Sequence, residues 1–307
     1  MIASRLAEIG ERLRAYRIGR GLAAEQVAER LGVSRAAVYR IEAGEVVKIE
    51  TLDGLARVLE TSVGSLLGLG VEYYASAISY FERVRQIEER SEQVIAQFPP
   101  LSYLLTSDNY ARQLRQTLIE AAPSHIDVDA RKAYAAEIDA IIAVLDERKQ
   151  ARNRRHLSVV NFVNMPEIER WLKLGLVGGF NLPQQELFER RLAARSEIEH
   201  LIKLIEREPM GVQIGLIEEP LPNMTFQLFR TSARTLLGLS PFRLGGELPN
   251  IRTGVAMLTG DEEPVRLYEQ LVEDLWRRAH KGRDAAAQLR MILARSAIKP
   301  TAARKVC

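Results

Sequence analysis

The stretch from Gly21 to Gly68, GLAAEQVAERLGVSRAAVYRIEAGEVVKIETLDGLARVLETSVGSLLG, decides how the amino-terminal part of the chain folds. Val27, Ala28 and Leu31 fall on one face of a helix running from about Ala24 to Leu31. Gly32 ends that helix, because only glycine enters the left-handed region at no steric cost. Ser34 stands where its hydroxyl caps the next helix, and Val38 and Ile41 return one face of it to the same core before Gly44 closes it. Upstream, Leu6, Ile9 and Leu13 recur at helical spacing as far as a break around Gly19 to Gly21. Downstream, Leu52, Leu55, Ala56 and Leu59 make a fourth helix, and Ser62 precedes a short fifth one with Leu66 and Leu67.

A small residue at Ala28, a turn glycine at Gly32, a cap at Ser34 and two apolar anchors are what a helix-turn-helix needs in order to present its second helix steeply to a partner. An all-helical protein-interaction domain satisfies the same pattern and stays open on these grounds. The segment also resembles the xenobiotic-response-element (XRE) type of helix-turn-helix shared by phage repressors and many bacterial regulators. The resemblance implies binding to double-stranded DNA, with Arg35 and Ala36 presented to the major groove and Tyr39 and Arg40 farther along the exposed face. Arg35 would then donate a bidentate pair to guanine, while Ala36 or Ala37 would offer apolar contact to a thymine methyl. At Ala24 the sequence departs from the glutamine that often clamps the DNA backbone in that family. Glu42 is expected to pair internally with a basic residue of the first helix such as Arg12. Arg14, Arg17, Lys48 and Arg57 are candidate phosphate contacts, since long cationic side chains set register without reading sequence.

At 307 residues the chain is long enough for two folded units. Its composition, 47% hydrophobic and 27% charged, excludes collagenous and low-complexity classes. The net charge of +3 is too small to argue for a nucleic-acid partner, so any positive surface must come from arrangement. The lone cysteine, Cys307, excludes an internal disulfide framework and fits a reducing, cytoplasmic setting. Charges interrupt every apolar stretch, so neither a signal peptide nor a membrane span is expected.

Residues 71–98 follow Gly68 and Gly70 and place Val71, Tyr74, Ile78, Phe81, Val84 and Ile87 mostly three and four apart, which predicts one long connecting helix. Its apolar seam, through Tyr74, Ile78, Phe81 and Val84, is the expected dimerisation surface. Residues 99–307 read as a larger mixed α/β or α+β domain. LSYLLTSD and LSVVNFVN are expected as strands, followed late in the chain by VQIGLI, MTFQLF, TLLGLSPF and IRTGVAML, several of them antiparallel neighbours. Helices are expected over Asn109 to Ala122, Asp127 to Arg155, Glu167 to Leu176 and Gln184 to Arg207. Another is capped by Asp261 and runs through Leu275 and Trp276, and the last spans Asp284 to Arg295. The run of late strands, acidic cap and Tyr268-to-Trp276 helix is similar to carboxy-terminal domains found on this helix-turn-helix in some multidomain bacterial regulators.

No enzymatic chemistry is expected. His125, His156, His200 and His280 lack a second ligand at metal-binding spacing, and Asp127 and Asp129 read as a helix cap and its first turn. Gly178-Gly179 and Gly245-Gly246 make no phosphate loop, and neither Ser158 with Lys203 nor Ser240 with Lys281 has local support as a nucleophile pair. No cofactor is implied. Arg234, Arg243 and Arg252, in or beside the late strands, are compatible with an anionic effector and equally with facing solvent or the phosphates of DNA. The reading is therefore a DNA-binding transcriptional regulator, a repressor and homodimer on a palindromic operator, with a small-molecule effector for its larger domain. A structural adaptor and an antitoxin-like autorepressor are the alternatives.

Overall fold

In the computed structural model, which describes residues 2–45, 48–123, 125–155, 157–179, 181–221, 224–245 and 249–296, the amino-terminal pattern becomes five helices. These are α1 (Ile2–Gly19), α2 (Ala24–Leu31), α3 (Arg35–Glu42), α4 (Ile49–Val58) and α5 (Val63–Leu67). Gly32 takes φ +67° between α2 and α3. Ser34 and Ser62 each accept a backbone N–H of the helix next in the chain. Cys307, His156 and Gly246 lie outside the described residues.

The connecting helix expected over residues 71–98 is not one helix. The segment forms a strand, β1 (Val71–Tyr74), a helix, α6 (Ala77–Glu88), and a second strand, β2 (Ser91–Gln97). Ser76 starts α6 by accepting the backbone N–H of Ser79. Three- and four-residue spacing from Tyr74 through Ile78 to Phe81 arises because a strand end and the helix after it face one core, a coincidence that periodicity cannot separate from a continuous helix. Tyr74, Phe81 and Val84 are fully buried within their own chain and Ile78 packs against them, so the seam expected to pair two copies is core instead. LSYLLTSD is also not a strand: only a 3-10 turn forms there, over Tyr103–Leu105.

Beyond β2, α7 (Tyr110–Glu120) and α8 (Val128–Arg155) lead to β3 (Ser158–Asn164). Asp127 caps α8 through the N–H of Ala130. Next come α9 (Met165–Leu174), α10 (Gln184–Arg207) and β4 (Val212–Ile217), and then the strands β5 (Thr225–Thr231), β6 (Thr235–Ser240) and β7 (Ala256–Thr259). The chain continues through α11 (Glu262–Arg278) to α12 (Gly282–Arg295). Asp261 precedes α11 as expected but makes no side-chain cap bond.

The seven strands form one mixed sheet in the order β1-β7-β6-β5-β2-β3-β4. β2, β3 and β4 are parallel because helix pairs cross over between them, while the short links among the later strands give antiparallel neighbours. Alternation along the strands divides the interior. Val94, Ala96, Val159, Val163, Leu216 and Phe229 face a large core shared with α6, α8, α10 and α12. Ile95, Val160, Phe162, Phe226, Leu228 and Leu237 face a smaller one, closed by Val265, Val272 and Leu275 of α11.

Because β1 is both the continuation of α5 and an edge strand of the sheet, the helical region cannot swing free of it. Leu13, Tyr16, Val38 and Leu66 belong to the same continuous buried cluster as Tyr80, Leu114 and Ile198. A Cβ built on Gly19 would lie 2.3 Å from the Cβ of Ser79, so α1 and α6 meet at backbone distance. Polar groups fasten the joint. Arg12 Nε donates to Glu72 Oε1 at 2.5 Å, and Arg83 Nε and the Tyr74 hydroxyl donate to Glu72 Oε2 at 3.0 and 2.6 Å. The Tyr16 ring stacks on Tyr74 at 4.9 Å.

At the far end of the sheet, His280 ties the turn between α11 and α12 to β4. Its backbone exchanges two hydrogen bonds with Leu216, and its ring nitrogens meet Asp284 and Glu218 at 2.5 and 2.8 Å. Asp284 first, then Glu218, raises the imidazole pKa above its ordinary 6.5. A folded-state pKa above the unfolded value gives a stabilisation complete below pH 6.5 and lost as pH rises through the folded pKa. The ring is expected to titrate above 6.5 by NMR, and Asp284→Asn to move the midpoint back down. A wild-type midpoint at or below 6.5 would remove the clamp.

Candidate nucleic-acid interface

The exposed face of the helical region is built by α2, the turn at Gly32 to Ser34, and α3. Val27, Ala28 and Val38 are buried where the two helices pack, which turns Arg35, Ala36, Tyr39 and Arg40 outward and leaves Ala37 half-buried. From behind, α1 supports α3 at backbone distance: a Cβ on Gly10 would lie 2.3 Å from the carbonyl oxygen of Glu42.

Arg35 is preorganised but engaged. Its Nη1 lies 2.6 Å from Glu25 Oε1 on α2, its Nη2 donates to the Tyr39 hydroxyl at 3.3 Å, and its guanidinium stands 5.3 Å from the Tyr39 ring centre. Both partners are more than half exposed, so the pair is weak and readily exchanged for another acceptor. Arg40 is likewise held by Glu45 at 2.7 Å. Lys48 is exposed immediately before α4.

The remaining cations divide. Arg14 is about half exposed, 3.7 Å from Glu82, and Arg57 is exposed beside Asp53. Arg17, expected at the phosphates, is an internal strut: it donates to both oxygens of Glu42 at 2.5 and 3.0 Å and to the carbonyl of Leu22 at 3.0 Å. Arg12 was the expected partner of Glu42. It turns instead to Glu72 and Glu8, because it faces the sheet while Arg17, more than a helical turn later, faces α3.

Gln26 escaped the sequence reading. Ala24 is buried and carries no polar group, and the exposed polar groups at the start of α2 are Glu25 and Gln26. Gln26 Oε1 accepts the backbone N–H of Ala23 at 2.8 Å, which leaves its amide N–H groups as donors beside the α2 amino terminus. Its spacing three residues after Ala23 is the signal that would have revealed it.

Residues 8–67 match the family model of the helix-turn-helix domain. The match begins within α1 and closes with α5, and the five helices are of the XRE type. No curated protein and no solved structure matches the chain. The described residues hold no group of three or more His, Cys, Asp or Glu placed around a metal. Ser240 accepts the N–H of Phe242 while Lys281 donates to the carbonyl of Trp276, so the two are not engaged with each other. No described helix is long and apolar enough to cross a membrane.

Proposed function

We propose that the protein is a sequence-specific regulator of transcription that binds double-stranded DNA through α3. The observation that carries this reading is the outward row of Arg35, Ala36, Tyr39 and Arg40 on a helix held from behind by α1 and capped by Ser34, within a segment matched to the helix-turn-helix domain. Ala36 and Ala37 leave room for the helix to enter the major groove, Arg35 supplies the donors that distinguish guanine, and Arg40, Lys48, Arg14 and Gln26 supply backbone contacts.

The working species is a symmetric dimer on a palindromic operator, since one recognition helix reads only a half-site and two-fold pairing places the half-site centres about 34–36 Å apart. Its contacts come from surfaces other than Tyr74, Phe81 and Val84, which the core consumes. Repression needs no more than occupancy of the operator. The body built on the sheet is much larger than the helical region it holds, which supports a role in responding to a small-molecule effector.

Selection of bound sequences from random duplex by the full-length protein tests this reading. An inverted repeat with half-sites about one helical turn apart is the expected product. Failure of any sequence to enrich over random duplex would sink the reading in favour of an adaptor that uses the helical face for protein contacts.

A further inference from the structure

We propose that the cleft between α1, α6 and the β5–β6 hairpin is a binding site for a small oxyanion of the phosphate class, and that Glu8 of the helix-turn-helix domain is its built-in competitor. The cleft is a cavity of about 160 Å³ lined by Glu8, Arg83, Arg90, Arg234 and the hairpin residues between Thr231 and Arg234. Guanidinium groups from α6, from the turn after it and from the hairpin thus converge on one small space. Arg83 is 2% exposed, and Arg90 and Arg234 are 40% and 45% exposed and so accessible to a ligand.

One carboxylate now stands in this space. Glu8 Oε2 accepts from Arg234 Nη2 and from Arg12 Nη2, both at 3.0 Å, and Glu8 Oε1 lies 4.0 Å from Arg90 Nη1. Glu11 pairs with Arg83 and Arg90 from the side. Planar guanidinium forks match phosphate oxygens two at a time, and a phosphate brings more charge and more acceptors than a carboxylate. The pairs that Arg90 and Arg234 make with Glu8 are partly solvated and correspondingly weak. A phosphate or phosphomonoester therefore displaces Glu8 from Arg234 and leaves it paired to Arg12 on its own helix, while Arg90, whose close partner is Glu11, turns its other edge to the anion.

The consequence for regulation rests on the reading of α1–α5 as a DNA-binding domain. Glu8 sits two residues before Gly10, where α1 touches the end of α3, so its bond to Arg234 is one of the polar ties between the support of the recognition helix and the sheet. An anion that takes Arg234 cuts that tie, and its binding is linked reciprocally to the DNA-bound arrangement.

Titration of the full-length protein with inorganic phosphate, without DNA and at constant ionic strength, tests the site. Saturable binding is expected, about tenfold tighter in Glu8→Gln, where the competing charge is gone, and about tenfold weaker in Arg234→Ala. Equal affinity in all three proteins, or no saturation in Glu8→Gln, overturns the proposal, and succinate binding as tightly as phosphate overturns the assignment to the phosphate class. Both substitutions are at partly exposed positions, and unchanged helical circular dichroism confirms the fold of each variant. With a selected duplex present, phosphate is expected to change the DNA affinity of the wild type and not that of Glu8→Gln. A wild-type affinity unmoved by phosphate overturns the regulatory half, whereas phosphate binding by a protein that binds no duplex keeps the site and overturns the DNA-binding reading instead.

Discussion

Glu72→Ala is expected to lower the free energy of unfolding by about 3–5 kcal/mol, the usual cost of breaking a buried ion pair from one side. Glu72 is the single carboxylate on which Arg12 of α1, Arg83 of α6 and the Tyr74 hydroxyl converge, and both arginines are 2% exposed. Removing it leaves two guanidinium groups out of water with only Glu8, Glu11 and Gln86 at their edges. Denaturant unfolding of the two proteins measures the difference, and a loss below about 1 kcal/mol would mean that water or rearranged glutamates replace the carboxylate at little cost.

The same carboxylate gives a pH signature. Burial alone would raise its pKa, but the charges of Arg83 and Arg12 outweigh burial and lower it from 4.5 to about 2. With the folded-state value depressed, the stabilisation is complete above the unfolded pKa and is lost as pH falls from about 4.5 through about 2. Acid unfolding of the wild type is expected to steepen in that window, and Glu72→Ala to lose that part of the dependence.

Arg35→Ala is expected to reduce discrimination between the selected duplex and random duplex by about 1–3 kcal/mol while changing random-duplex affinity much less. Arg35 is exposed at the first position of α3, steadied by Glu25 and Tyr39, with alanines at the two positions after it. Competition binding at one fixed salt concentration reads both affinities. Equal proportional losses on the two duplexes would make Arg35 a phosphate contact and move base reading toward Tyr39 or Arg40.

Most of the helix-turn-helix was legible in the sequence because its determinants are local. Gly32 needs a left-handed backbone, Ser34 caps the helix it precedes, and Val38 packs against Val27 and Ala28 within a short loop of chain. The same holds for α8, α10 and β3 to β6, whose patterns are long enough or regular enough to be read, whereas of the expected strand IRTGVAML only Ala256, Met257 and Leu258 enter β7. Residues 71–98 were misread for the opposite reason. There the apolar positions belong to a strand, a helix and a strand that meet one core from different directions, and α6 is buried almost all round, so no single amphipathic face exists to be read.

Partner choice among the charged residues was equally hidden, since Arg12 and Arg17 are alike in type and neighbourhood and differ only in which way α1 turns them. The amino-acid sequence by itself determined the five-helix amino-terminal region, the outward-facing residues of its third helix and the mixed α/β character of the larger domain, because caps, turns and periodicity act over a few residues. Only the tertiary structure decided that β1 is an edge strand of the large sheet, that Tyr74 and Phe81 are core, and that Glu8, Arg90 and Arg234 share one cleft. Those outcomes depend on burial and charge pairing between residues as far apart as 8 and 234, which no local propensity specifies.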